Sequence, residues 1–137
     1  MAAFTKFQPF VEDLAEKVYD LGADTLTVAL SATAPTNTWR TLSQVTQISY
    51  TNLSSRVITT SSSAQTSGTY KLVVADLVLT ASGAVATFRY VIIYDDTPTS
   101  PADPLICSFD YGADVTLANG ETFTIDFDGS NGLLQIA

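Results

Sequence analysis

Few residues in this chain are of a type that performs chemistry. There is one cysteine, Cys107, and no histidine anywhere. A thiol nucleophile needs a base to take its proton, and the usual base is missing, so Cys107 reads as a buried, inert side chain. The same absence removes the commonest metal ligand and the commonest general acid–base. Two carboxylate pairs remain, Asp95 with Asp96 and Asp126 with Asp128. Paired acids are what glycoside hydrolysis uses, but Asp95-Asp96 adjoins a proline-rich stretch where Asp commonly shapes turns. In Asp126-Phe127-Asp128-Gly129-Ser130-Asn131-Gly132, the first, third and fifth residues offer oxygens to a cation. A helix–loop–helix calcium loop would also need Gly at its sixth position and Glu at its twelfth. Asn131 and Ala137 stand there instead. Asp126, Asp128 and Ser130 are therefore a weak metal candidate, and the expectation is no catalytic residue, no cofactor and no metal. Nothing resembles a phosphate-binding glycine loop or a dinucleotide fingerprint.

The elements that must position these residues follow from hydrophobic period. Phe4, Phe7, Val11, Leu14, Val18 and Leu21 are spaced 3, 4, 3, 4, 3, which places them on one stripe of a helix. Thr5 and Gln8 have the spacing of a capping box, Pro9 suits a first turn, and Gly22 suits a stop. Phe10 and Tyr19 lie off the stripe. That stripe packs either on the chain's own sheet or on a neighbouring subunit. After Gly22 the period becomes two. Asp24 to Ser31 alternates as a half-buried strand does. Ala32 to Arg40 reads as a loop carrying Trp39, the only tryptophan, as a lid over the core or as an interface anchor.

Further strands are predicted over Val45–Tyr50, Arg56–Thr60, Tyr70–Leu79, Ala84–Tyr94, Leu105–Asp110, Val115–Leu117, Thr122–Phe127 and Leu133–Ile136. Ser61 to Gly68 is small and uncharged and reads as a loop. The turn Ala81-Ser82-Gly83 predicts a hairpin between Tyr70–Leu79 and Ala84–Tyr94, and Asn119-Gly120 predicts another. Three prolines between Asp95 and Pro104 mark a surface loop. The expected fold is mostly β: an antiparallel β-sandwich or jelly-roll-like barrel over residues 23–137, with one N-terminal amphipathic α-helix over residues 1–22, in a single domain.

The chain has 137 residues, 46% apolar and 15% charged, enough to bury one core and too apolar for a disordered segment. No apolar run is long enough to span a bilayer, and the first residues lack the pattern of a secretory leader. One cysteine excludes an internal disulfide and suits assembly in a reducing cytoplasm. A net charge of −8 argues against a nucleic-acid partner. From Asp95 onward there are eight acids and no base, whereas Thr25 to Tyr94 holds Arg40, Arg56, Lys71 and Arg89 against Asp76 alone. That asymmetry either disappears on folding or draws neighbouring copies, or a basic partner, together.

Three stretches resemble a known family. They are Phe4 to Leu21 with Asp24 to Leu30; Ile48 to Arg56; and Tyr90 to Asp128, which contains Tyr94-Asp95-Asp96-Thr97, Asp103-Pro104-Leu105-Ile106, Asp110-Tyr111-Gly112 and the run Val115 to Phe127. Together they resemble the small virion structural proteins of tailed bacteriophages, of the capsid cement or decoration type. The resemblance implies a non-enzymatic protein of the virion, assembled in the host cytoplasm. It implies binding to the major capsid protein and self-association as a dimer or trimer, with no membrane partner. The corresponding interface candidates are Phe4, Phe7, Phe10, Val11, Trp39, Asp95, Asp96 and Pro98. The alternatives are a tail or head–tail connector component, or a small carbohydrate-binding β-module in which Trp39, Tyr50 and Tyr70 line up exposed.

Overall fold

The computed structural model describes residues 2–137. Its elements run β1 (Thr5–Lys6), α1 (Gln8–Ala15), β2 (Leu26–Ser31), β3 (Thr60–Thr66), β4 (Thr69–Val74), β5 (Leu77–Thr80), β6 (Phe88–Asp95), β7 (Leu105–Val115), β8 (Thr122–Ile125) and β9 (Leu134–Ile136). They form three antiparallel sheets, ordered β1-β7-β6-β2, β3-β4-β9 and β5-β8. The mostly-β, antiparallel fold read from the sequence is present, in a form compatible with a β-sandwich. The barrel is not closed.

The four-stranded sheet is covered on both faces. One face sends Leu26, Val28, Leu30, Val91, Ile93 and Phe109 into a core shared with Leu72, Val74, Leu79 and Leu134 of the other two sheets. The opposite face packs Ala29, Ile92, Tyr94 and Leu105 beneath Phe7 and Val45, with Trp39 against them. All six residues of β2 are consequently buried, so the expectation of a half-buried strand is corrected. Alternation of small polar and apolar residues marks two faces without saying that one is wet.

The helix is much shorter than residues 1–22. Thr5 and Lys6 pair with Ser108 and Cys107 at the edge of β7, which fixes the backbone as extended up to Phe7. Pro9 then occupies the first turn, the place where a missing N–H costs least. Neither Thr5 nor Phe7 supplies a side-chain cap. The helix ends at Ala15 and its stop is Lys17, not Gly22: Lys17 has φ +67°, and the Val18 and Lys17 amides close on the Asp13 and Leu14 carbonyls in a Schellman turn. Val18 and Leu21 lie beyond it.

Other expectations are revised. Ser61–Gly68 is not a loop: β3 and β4 form a hairpin across Ser67-Gly68, both at positive φ as a two-residue primed turn requires. Val45–Tyr50, and Arg56–Thr60 up to the start of β3, are irregular segments that lie along β2: Ile48 N bonds Leu30 O, Ile58 N bonds Leu26 O, and Val28 N bonds Arg56 O. Tyr70–Leu79 breaks at Ala75-Asp76 into β4 and β5, which enter different sheets. β5 pairs with β8, so the hairpin at Ala81-Ser82-Gly83 does not form. Leu105–Asp110 and Val115–Leu117 are replaced by one strand, β7, bulged around Gly112 (φ +93°) where Asp110 pairs with Tyr90 and Val115 with Phe88. Asn119-Gly120 does turn the chain, but it connects two sheets.

Candidate interaction groove and acidic corner

Where the four-stranded sheet meets the two-stranded one, the sandwich is not sealed. Val91 of β6, Phe109 and Tyr111 of β7, Phe123 and Ile125 of β8, and Phe127 line an apolar groove of about 240 Å³. The β7 bulge creates it by carrying Tyr111 outward. Tyr111 is 57% exposed, yet its ring meets Phe123 edge-on at 5.1 Å, and Phe123 meets Phe88 at 5.2 Å. These stacked rings hold the wall in place. Thr124 and Asp126 form the rim, and Ala2 lies at one end. The sequence signals were the alternation of Phe123, Ile125 and Phe127 and the Tyr111-Gly112 pair. Nothing local said that the two would face each other.

The residues expected at an interface divide. Phe7 and Phe10 are corrected: Phe7 is buried under the sheet, and Phe10 meets Tyr19 edge-on at 4.9 Å inside the main core. Phe4 and Val11 are exposed, and Phe4 lies edge-on to Phe109 beside the groove. Trp39 is half-buried against the second core cluster, in the manner of a lid. Tyr50 carries Arg56 on its ring at 3.5 Å and accepts the Leu30 amide, and Tyr70 bonds Ser63. Trp39, Tyr50 and Tyr70 therefore do not present a free aromatic row.

Asp95 is the other correction among the interface candidates. It ends β6 fully buried. Its Oδ1 accepts the Thr97 amide at 3.1 Å, while Oδ2 has no donor among the described residues. The Asp24 carboxyl is its nearest acidic neighbour in effect and disfavours its ionised form. Burial first, then Asp24, pushes the Asp95 carboxyl up to about 8. Asp103 is raised by burial and by Asp96 in the same way. Asp24 and Pro98 border a wide, open depression together with Lys17 and Tyr70, and Asp96 is exposed nearby.

Of the metal candidate, Asp128 and Ser130 share one turn, and Asp126 lines the groove. The Asp128 carboxylate accepts the Ser130 and Asn131 amides, both at 2.8 Å, and Asn131 Nδ2 at 2.9 Å. Those bonds hold it below the usual carboxylate range and build an Asx turn. Asp126 instead points to the groove rim. Among the described residues, no three His, Cys, Asp or Glu side chains converge on a point. Cys107 is fully buried, and burial pushes its thiol well up.

Among the described residues, folding pairs only one of the eight acids from Asp95 onward, Asp110, with a base. Arg40 makes a bidentate pair with Asp13, at 2.7 and 2.8 Å, and Arg89 does the same with Asp110, at 2.8 and 3.1 Å. Arg56 covers Tyr50, and Lys71 donates to the Ser130 carbonyl. Sequence reasoning did not find the Asp13–Arg40 pair, because its partners come from a helix and a loop 27 residues apart. Comparison with protein-family models, with curated proteins and with solved structures gave no match.

Proposed function

We propose that this chain is a non-catalytic structural protein of a tailed-bacteriophage particle, of the cement or decoration type, that attaches to the major capsid lattice. The observation that carries the attachment reading is the open apolar groove between β7 and β8, with Tyr111 projecting over it. A half-exposed aromatic beside an unfilled apolar cleft is the anatomy of a docking anchor. The particle itself is suggested by the resemblance of Phe4–Leu30, Ile48–Arg56 and Tyr90–Asp128 to that family. A role repeated over a lattice needs little energy per copy, because modest burial at each boundary is multiplied across the shell. In this reading the acids at Asp24, Asp95, Asp96 and Asp103 shape a corner of the fold and carry out no reaction.

The test is binding. Purified chain is mixed with empty shells of the source phage's major capsid protein that lack it, then sedimented. Saturable co-sedimentation at a simple ratio to the major protein, with a rise in the temperature at which the shells open, is the expected result. No co-sedimentation at any concentration contradicts the proposal.

A further inference from the structure

We propose that the groove receives an extended, basic segment of a partner protein, which adds as a strand to the free edge of β8 and sets one large apolar side chain between Tyr111 and Phe127. The inference rests on the attachment reading above and names the chemistry of what is attached.

Three observations carry it. The first is an open strand edge. β8 pairs only with β5. The Ala81 amide bonds the Glu121 carbonyl, and the register continues Thr80↔Thr122, Leu79↔Phe123, Val78↔Thr124. Bonded and non-bonded pairs alternate in an antiparallel ladder, so the N–H and C=O groups of Thr122 and Thr124 point away from β5. No backbone group of the chain meets them among the described residues. Such an edge is a template for an added strand. The second is size. At about 240 Å³ the groove is smaller than the roughly 300–1,000 Å³ clefts that enclose whole small-molecule ligands. It suits a bulky side chain delivered by a strand, and its walls are almost entirely aromatic and aliphatic.

The third is charge. Asp126 stands on the rim, Asp114 is on the β7 bulge and Glu121 precedes β8. Among the described residues none of the three has an ion-pair partner. The occupant should therefore bring Lys or Arg. A second copy of this chain is poorly equipped to do so: Arg40, Arg56, Lys71 and Arg89 are engaged internally, which leaves Lys6 and Lys17. A foreign basic strand meets the demand without breaking those pairs.

The probe is a fluorescein-labelled nonapeptide alternating Lys and Val around a central Phe, titrated with the full chain and followed by anisotropy. Its control has Glu in place of every Lys. Amide chemical shifts locate the site. The Lys peptide should bind, with its largest shifts in β8 and around Tyr111, and the Glu peptide should bind at least tenfold more weakly. Raising salt from ~0.1 M to ~0.5 M should weaken the Lys peptide severalfold, as exposed charge pairs require. Thr124→Pro removes an outward N–H that β5 does not use and should cost at least tenfold. Asp126→Lys, a surface change that spares the fold, should cost about as much at low salt. Absence of binding, equal binding of both peptides, or indifference to both substitutions overturns the inference. Concentration-dependent dimerisation that protects the same amides also overturns it, in favour of a second copy. If the chain sediments with shells but ignores the peptide, only this inference falls. If it takes the peptide but ignores shells, only the proposed function falls.

Discussion

Replacing Asp95 by Asn should make the protein more stable at alkaline pH and nearly leave its stability at acid pH unchanged. Asp95 is buried, and among the described residues one of its oxygens has no donor. In the unfolded chain its carboxyl titrates near the ordinary value of about 3.9. In the folded chain burial and Asp24 lift it to about 8. The folded state therefore holds the proton more tightly, and its contribution is complete below about pH 4 and is lost as pH rises through about 8. The limiting slope is about 1.4 kcal/mol per pH unit. Asp95 is at a corner of the fold, where relaxation and screening reduce that, so a loss of about 2–3 kcal/mol between pH 5 and 8.5 is reasonable. An asparagine keeps the acceptor for the Thr97 amide and supplies a permanent donor toward Asp24. Urea unfolding at pH 5, 6.5, 7.5 and 8.5 would show it: the native curve falls, and the Asp95→Asn curve is flatter by about 2 kcal/mol. Asp103 titrates in the same direction in both proteins and cancels in the difference. Asp110 and Asp128, held low by Arg89 and by Asn131, are already ionised across this range. Parallel curves, or a variant less stable than the native chain at pH 8.5, would refute the raised Asp95 carboxyl.

Three further outcomes follow from the same geometry. Tyr19 donates to the Leu105 carbonyl at 2.7 Å in a buried setting, so Tyr19→Phe should cost about 1–3 kcal/mol by equilibrium unfolding, because the carbonyl is left unpaired. Lys17 holds a left-handed conformation at the end of α1, and Lys17→Gly should be neutral or stabilising by up to about 1 kcal/mol, a result that a loss of stability would contradict. Cys107 should be silent to a thiol reagent in the native chain and react fully once urea unfolds it; rapid native labelling would show that the β7 core is open.

The sequence announced the fold class through elements whose signal is local. Alternation at Phe123, Ile125 and Phe127, the run Tyr90 to Tyr94, and the prolines after Asp96 each stated their own conformation. It was silent where a distant partner decides. Thr5 and Lys6 lie between Phe4 and Phe7 of the helical stripe but become a strand because Ser108 and Cys107 offer an edge. Ser61 to Thr66 has no apolar residue to mark a strand except Ala64, yet β4 supplies the ladder. The groove was illegible for the same reason: Tyr111 and Phe123 meet only because the β7 bulge and the β5–β8 pair bring two sheets together. Asp95 looked like a loop residue beside prolines, and burial at the end of β6 changed both its exposure and its titration.

The proposed capsid role is decided by the number of copies of this chain per purified phage particle, measured by quantitative mass spectrometry against the major capsid protein. Attachment over the whole lattice requires a ratio near one or near a simple fraction of one. A few copies per particle would place the chain at a connector or tail, and its absence from particles would contradict the structural role altogether.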